Sequence, residues 1–484
     1  MSLIVQQQQQ QKPRMDRFHR FISHSNISYK QHQFDGVLWC VNNETCVRPV
    51  VDGIFGGFIS DEMGLGKTIM AIGTCIVNIL PRTLIVLPCV LIEQWSNEIF
   101  RTTGHRPLTY HGPDKKNITT EQLQSAHIVL TSYNTIAVLK KNLDIASKCP
   151  IHDIVWDRVI FDEAHHLRNK NGRFYGARKL KTKIRWLISG TPVQNKRADF
   201  YNLCRVIGLP ASFFSAADNF DVLQANFILR RTKVTANIVL PQLDVGKESV
   251  QWKSDRERLL SQDIHLALKS AQGSDKLSLF IRARQICVLP YMFREKIDVM
   301  TDDRIIGRNH LDTVVNCSSK MDAVIDSIVS RKGNGNGQLV VCPFREEIDT
   351  IIKRLSQRGM TNVSSFDGRT RQSTRNIKLT QKYEVLVLQI QTGCEGLNLQ
   401  NDFNEVYFVS PHWNPAVEDQ AVARCHRIGQ TKPVHVFKYE METFDSGSSF
   451  DDIDTPSNLT LDQYITLTQI TKRNISHTVF NPTQ

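Results

Sequence analysis

From Ser28 onward, short apolar runs alternate with helical stretches, the pattern of repeated βα units around a parallel sheet. Thr83-Leu84-Ile85-Val86-Leu87, His127-Ile128-Val129-Leu130, Arg158-Val159-Ile160-Phe161 and Trp186-Leu187-Ile188 are each followed by turn or polar residues and read as buried strands. Between about Tyr201 and Cys317 the alternation gives way to helical text with basic pieces, Arg230-Arg231-Thr232-Lys233 and Arg282-Ala283-Arg284-Gln285, which reads as a linking region. Strand-like runs return at Gln338-Leu339-Val340-Val341, Val385-Leu386-Val387-Leu388 and Val406-Tyr407-Phe408-Val409, behind the turn-forming Gly333 to Gly337. The run Gln6 to Gln11 cannot pack a core, so a disordered leader is expected there, and the Ser/Thr/Asp-rich chain after about Tyr439 predicts a loosely docked tail. The pattern therefore predicts an α/β chain with two lobes, each a mainly parallel sheet flanked by helices. The expected boundaries are a leader over 1–27, a first lobe over 28–232, a helical linker or protrusion over 233–316, a second lobe over 317–445 and a polar tail over 446–484.

Length agrees with two or three units, since 484 residues exceed the usual one domain per about 100–200. With 41% hydrophobic and 22% charged residues the composition is that of a folded globular chain. The formal charge of +12 suits an acidic partner but does not by itself identify one. The eleven cysteines form no CxxC pair and no zinc-ligand spacing, and are expected as reduced thiols. No apolar run approaches the roughly 18 residues that cross a bilayer. Without a secretory leader, the expectation is a soluble intracellular protein with no membrane partner, its compartment (nucleus, cytoplasm, nucleoid or viral factory) left open.

The strongest local chemistry lies in Asp61-Glu62-Met63-Gly64-Leu65-Gly66-Lys67-Thr68. Glycines let backbone N–H groups curl around phosphate oxygens, Lys67 reaches the β/γ-phosphates, and the Thr68 hydroxyl can bind Mg²⁺. The full phosphate-loop pattern asks for Gly where this chain has Asp61, yet the helix that follows still offers its N-terminal dipole to an anion. Asp162-Glu163-Ala164-His165 follows a strand; Asp162 suits the metal shell and Glu163 suits polarising the attacking water, although alone such a tetrapeptide also starts capped helices. Ser189-Gly190-Thr191-Pro192 follows another strand and offers hydroxyls toward the expected γ-phosphate side, although alone it reads more readily as a turn. Gln420, Arg424 and Arg427 stand i, i+4, i+7, so a continuous helix would place them on one face, either a solvated basic face or a pair of guanidiniums for a transferring phosphoryl group.

Taken in order, Gln33-Phe34-Asp35-Gly36-Val37, the loop Asp61 to Thr68, Leu84 to Trp95, Thr131-Ser132-Tyr133, Asp162 to His165, Ser189 to Asn195, Leu229 to Lys233, Gly396-Leu397-Asn398-Leu399, Trp413-Asn414-Pro415 and Gln420 to Gln430 resemble the motifs of Swi/Snf-like ATPases of helicase superfamily two. The likeness runs from about Ser28 to Tyr439 and is that of a bare motor, as in prokaryotes or large DNA viruses. It implies two RecA-like lobes, ATP and Mg²⁺ as cofactors, and duplex DNA held through its backbone by the loops after Pro88, at Thr131 to Tyr133, around Cys342-Pro343-Phe344 and near Gly396 to Asn398. It also implies Gln33 on the adenine with Asp61, Glu62, Met63, Gly64, Leu65, Gly66, Lys67, Thr68 and Gln420 around ATP, Asp162 with Thr68 on the metal, and Glu163 on water. Arg424 and Arg427 would be fingers from the second lobe, and Ser189, Thr191 and Gly396 would couple hydrolysis to motion. Where the family writes Gly-Gly-Leu-Gly, this chain has Gly393-Cys394-Glu395-Gly396, which puts the strength of DNA coupling in question but not the ATP site. The expected activity is ATP-driven translocation on duplex DNA that remodels protein–DNA complexes in transcription, repair or recombination. Its rivals are a strand-separating helicase and a catalytically inactive nucleotide-sensing scaffold.

Overall fold

The computed structural model describes residues 3–47, 49–143, 149–191, 197–215, 219–296, 317–370, 374, 377–378, 380–393, 397–444 and 458–480. The chain forms two compact units, Met1–Val239 with Ile475–Gln484, and Leu240–Asn474. Each unit is a parallel sheet flanked by helices, the two-lobed α/β architecture expected from the alternation of apolar runs.

The first sheet contains β1 (Phe55–Ile59), β2 (Thr83–Leu87), β3 (Leu108–Tyr110), β4 (Ile128–Ser132), β5 (Arg158–Asp162), β6 (Ile184–Ile188) and β7 (Ile228–Leu229), in the order β3-β4-β2-β5-β6-β1-β7. Strands β2 and β5 are buried along their whole length, which is why they read as continuous apolar runs. Strand β1 escapes that reading because two of its five residues are glycines. They are needed there: a Cβ on Gly56, at φ 99°, would lie 2.2 Å from the Arg185 oxygen of the neighbouring strand. Helices α1 (Leu3–His24), α2 (Gln31–Thr45), α3 (Lys67–Val77) and α4 (Ile92–Thr103) share one apolar core with one face of this sheet.

Below the sheet, at the ends of the strands away from their carboxyl edge, a buried ion pair ties α2 to β5. Arg158 and Glu44, both side chains wholly buried, meet through Nε to Oε1 at 2.6 Å and through Nη2 to Oε2. Trp186 Nε1 donates to Glu44 Oε1 (2.8 Å) and Asn78 Nδ2 to Oε2 (2.6 Å), so the carboxylate is saturated. Removing one partner of such a pair leaves an uncompensated buried charge, so Glu44→Ala should cost about 3–5 kcal/mol. Guanidinium-induced unfolding, followed by tryptophan fluorescence, checks this; an unchanged midpoint would refute it.

The second sheet contains β8 (Leu243–Val250), β9 (Gln338–Cys342), β10 (Val363–Phe366), β11 (Val385–Gln389), β12 (Glu405–Phe408) and β13 (Val434–Met441), in the order β10-β11-β9-β12-β13-β8. Three expectations are corrected here. The Gln-rich leader is helical rather than disordered, because Phe18, Phe21 and Ile22 fall at i, i+3, i+4 and bury in the first core. The stretch expected as a linker contributes β8, paired with β13 from Val434↔Leu243 to Met441↔Val250, and two helices, Asp255–Ser270 and Gly273–Val288, packed into the second core. The polar tail carries the helix Leu461–Phe480, anchored by Leu461 and Ile465 in that core. No helix among the described residues is long and apolar enough to cross a membrane.

Candidate active site

Strands β5, β6 and β1 lie side by side and parallel, so the residues that follow them share one edge of the first sheet. That edge gathers the loop Asp61–Gly66, the pair Asp162–Glu163 and the turn Ser189–Thr191, beyond the carboxyl ends of the strands where open α/β sheets bind ligands.

The loop passes into α3 at Gly66, whose φ of 83° is left-handed; a Cβ there would lie 2.3 Å from Gln33 Nε2, so only glycine permits the approach to α2. No side chain caps α3, and a helix N-terminus suits an anion through its backbone N–H groups and its dipole. Lys67 Nζ donates to the main-chain oxygens of Asp61 (2.8 Å) and Glu62 (3.4 Å). On α2, Gln33 donates to the Leu65 oxygen (3.2 Å), while its own Oε1 is buried with no hydrogen-bond partner. Such an acceptor is costly unless a donor meets it, and the exocyclic amine of a purine is such a donor.

Asp61, the departure from the phosphate-loop pattern, is wholly buried and bound by Arg231 through Nη2 (2.5 Å), Nε (3.1 Å) and the backbone N–H (2.9 Å). The acid replaces the usual glycine because a cation is supplied to it from the chain after β7. Glu62 is matched in the same way by Lys233, Nζ to Oε1 at 3.0 Å.

Asp162 is buried at the end of β5. Trp95 Nε1 donates to its Oδ2 (2.7 Å), the Glu163 N–H to its Oδ1 (3.0 Å), and the Tyr133 hydroxyl to its main-chain oxygen (2.5 Å). Burial first, and the Glu163 charge second, hold its carboxyl well above the ordinary carboxylate range. A group so destabilised as an anion gains from a cation, and Lys67 already acts in that direction. Glu163 sits in the left-handed region, φ 48° and ψ 50°, a conformation that costs a non-glycine residue about 1–3 kcal/mol and recurs at functional sites. Its Oε2 lies 3.2 Å from His165 Nδ1. The Ser189 Oγ accepts from the Thr191 N–H (3.2 Å), and a Cβ on Gly190 would lie 3.2 Å from Lys67 Nζ, so the turn after β6 abuts the phosphate-loop lysine.

In the second unit, the helix Pro415–Cys425 is capped by Asn414, whose side chain accepts from the Ala416 N–H (3.2 Å). It carries Gln420 and Arg424 but stops at Cys425, which corrects the expected single face: Arg427 lies in the turn beyond the helix. Gln430 staples that turn, donating to the Phe403 (3.1 Å) and Cys425 (3.2 Å) oxygens while accepting from the Thr431 and Lys432 N–H groups. Arg427 donates to Asn398 Oδ1 (2.5 Å), and the Nε atoms of Arg424 and Arg427 are both buried without a partner. Burial, and then the neighbouring Arg424, lower the Arg427 pKa. Two crowded guanidiniums with unspent donors form a receptor for an anion.

The first unit thus brings together Gln33, Asp61 to Thr68, Asp162, Glu163, Ser189 and Thr191, and the second carries Gln420, Arg424 and Arg427, the two arginines as neighbours. Gly396, Glu395 and Pro192 to Asn195 lie outside the described residues. Sequence reasoning gave no role to Arg231 or Trp95, although an acid in place of the loop glycine already signalled that a buried cation had to be found.

Residues 32–237 match the SNF2-related domain and residues 319–429 the helicase conserved C-terminal domain. The chain is 28% identical over 443 residues to a probable global transactivator of Orgyia pseudotsugata multicapsid polyhedrosis virus, covering 84% of this chain and 85% of the relative. It is 27% identical over 458 residues to an uncharacterised ATP-dependent helicase of Mycoplasma genitalium, covering 87% of this chain but 41% of that protein. Among solved structures it is similar to the Sulfolobus solfataricus SWI2/SNF2 ATPase core in complex with dsDNA, at 22% identity and a TM-score of 0.39, covering 93% of this chain and 94% of that one.

Proposed function

This chain belongs to the Swi/Snf-like ATPases of helicase superfamily two, and from that membership we propose that it is an ATP-driven translocase on duplex DNA. One observation carries the nucleotide half of this reading: Lys67, Asp162 and Glu163 stand at the same edge of the first sheet, and Gln33, bonded to the loop before Lys67, has a buried Oε1 that lacks a donor. The loop N–H groups and Lys67 bind the triphosphate, and Gln33 accepts from the adenine amine. Mg²⁺, held by Thr68 and Asp162, would neutralise charge on the β- and γ-phosphate oxygens. Trp95 and the Glu163 N–H each engage one Asp162 oxygen and so fix the carboxylate's orientation. Glu163 orients a water molecule and takes its proton, and Arg424 and Arg427 receive the charge spreading over the transferring group.

The +12 charge supports the DNA half, since phosphate contacts give affinity without sequence preference. ATP hydrolysis by the full chain should accelerate on adding duplex DNA, and more than on adding single strands or RNA. No acceleration by duplex would sink the translocase reading, and unwinding of a forked duplex would redirect it to a strand-separating helicase.

A further inference from the structure

Three elements of the nucleotide site converge on one side chain that touches no expected ligand. Arg231 follows the edge strand β7 and binds Asp61 at the start of the phosphate loop through the three bonds already described. Its Nη1 donates to the main-chain oxygen of His32 on α2, and its Nη2 lies 3.2 Å from Met70 Sδ on α3. His32 completes a circuit, because its ring Nε2 lies 3.0 Å from the oxygen of Leu65, at the far end of the same loop, to which Gln33 also donates. The Asp61 end of the loop is thereby tied to the helix that carries Gln33 through the Arg231 guanidinium, and the Leu65 end through His32 and Gln33 themselves. The neighbours keep the same register: Ser60 N–H donates to the Leu229 oxygen (2.7 Å), Glu62 N–H to the Arg231 oxygen (2.8 Å), and Lys233 N–H to Glu62 Oε2 (2.8 Å). Helix α2 is shaped around the group, since a Cβ on Gly36 would come within 2.8 Å of Arg231 Nη2.

We infer that Arg231 is a positioning residue that sets the distance between the base-reading Gln33 and the phosphate loop, so that preference for ATP over other nucleoside triphosphates depends on it. The inference rests on the nucleotide reading above. A planar fork can serve acceptors on two elements at fixed geometry, and a lysine ammonium cannot hold both. With the spacing relaxed, phosphate contacts survive by adjustment of the loop, whereas the base contact, made by one short amide, is lost.

The test is calorimetric titration of the full chain with ATP and with GTP, both with Mg²⁺, beside Arg231→Lys and the near-isosteric Asp61→Asn, with thermal melting of each. The wild type should prefer ATP. Arg231→Lys should weaken ATP binding about tenfold and GTP binding no more than about twofold. Asp61→Asn should shift the ATP-to-GTP ratio in the same direction and decides the matter if Arg231→Lys fails to fold. A purely structural role would lower the melting temperature and leave the ratio at its wild-type value, which overturns the inference alone. Equal wild-type affinities overturn it likewise, and a wild type that binds neither nucleotide overturns the nucleotide reading together with it.

Discussion

Glu163→Gln is expected to lower the ATP turnover number about 10²–10⁴-fold, the range associated with loss of a positioned general base, while leaving ATP affinity close to wild type. The amide keeps the size and hydrogen-bonding reach of the carboxylate and loses the capacity to accept a proton. The left-handed backbone at Glu163 strengthens the expectation, because a strained conformation persists only where the surroundings hold the side chain in place. Steady-state hydrolysis with saturating duplex DNA, combined with ATP titration, separates the two effects. Turnover within tenfold of wild type would remove Glu163 from the chemistry.

Arg427→Ala should be comparably severe, lowering turnover about 10³-fold or more, as removal of a guanidinium from a phosphoryl-transfer site does. Arg427 is held by Asn398 and by the Gln430-stapled turn, while its Nε is buried without a partner beside Arg424. Arg427→Lys should recover little, since an ammonium lacks the fork. Removing a crowded cation costs no paired anion, so the variant should melt near the wild-type temperature. A large drop in melting temperature with turnover preserved would make Arg427 structural. Together with Glu163→Gln, which acts from the first unit, this tests whether both units contribute to one reaction.

Much of this protein was written locally. The buried strands β2, β5 and β9 declare themselves as apolar runs because both faces of a parallel sheet are covered, and the phosphate loop is legible because only glycines allow its backbone to wrap an anion. Strand β1 was hidden by the glycines that β6 requires beside it, and β8 by an edge position that leaves most of its residues exposed and only Val250 buried. The leader misled for a similar reason: its glutamines dominate the composition, while three apolar side chains at helical spacing decide its fate.

Residue types at fixed spacings thus determined which candidate groups the chain offers, namely Lys67, Asp162, Glu163 and the paired arginines, since each owes its expected reactivity to its own functional group. Tertiary structure alone decided how those groups are held. Asp61 finds Arg231 170 residues away, Trp95 finds Asp162 67 residues away, and the helix before Arg427 ends early. Partners that meet only when strands order themselves out of sequence leave no periodic trace in the chain, and burial of a charge becomes visible only once its counter-charge is in place.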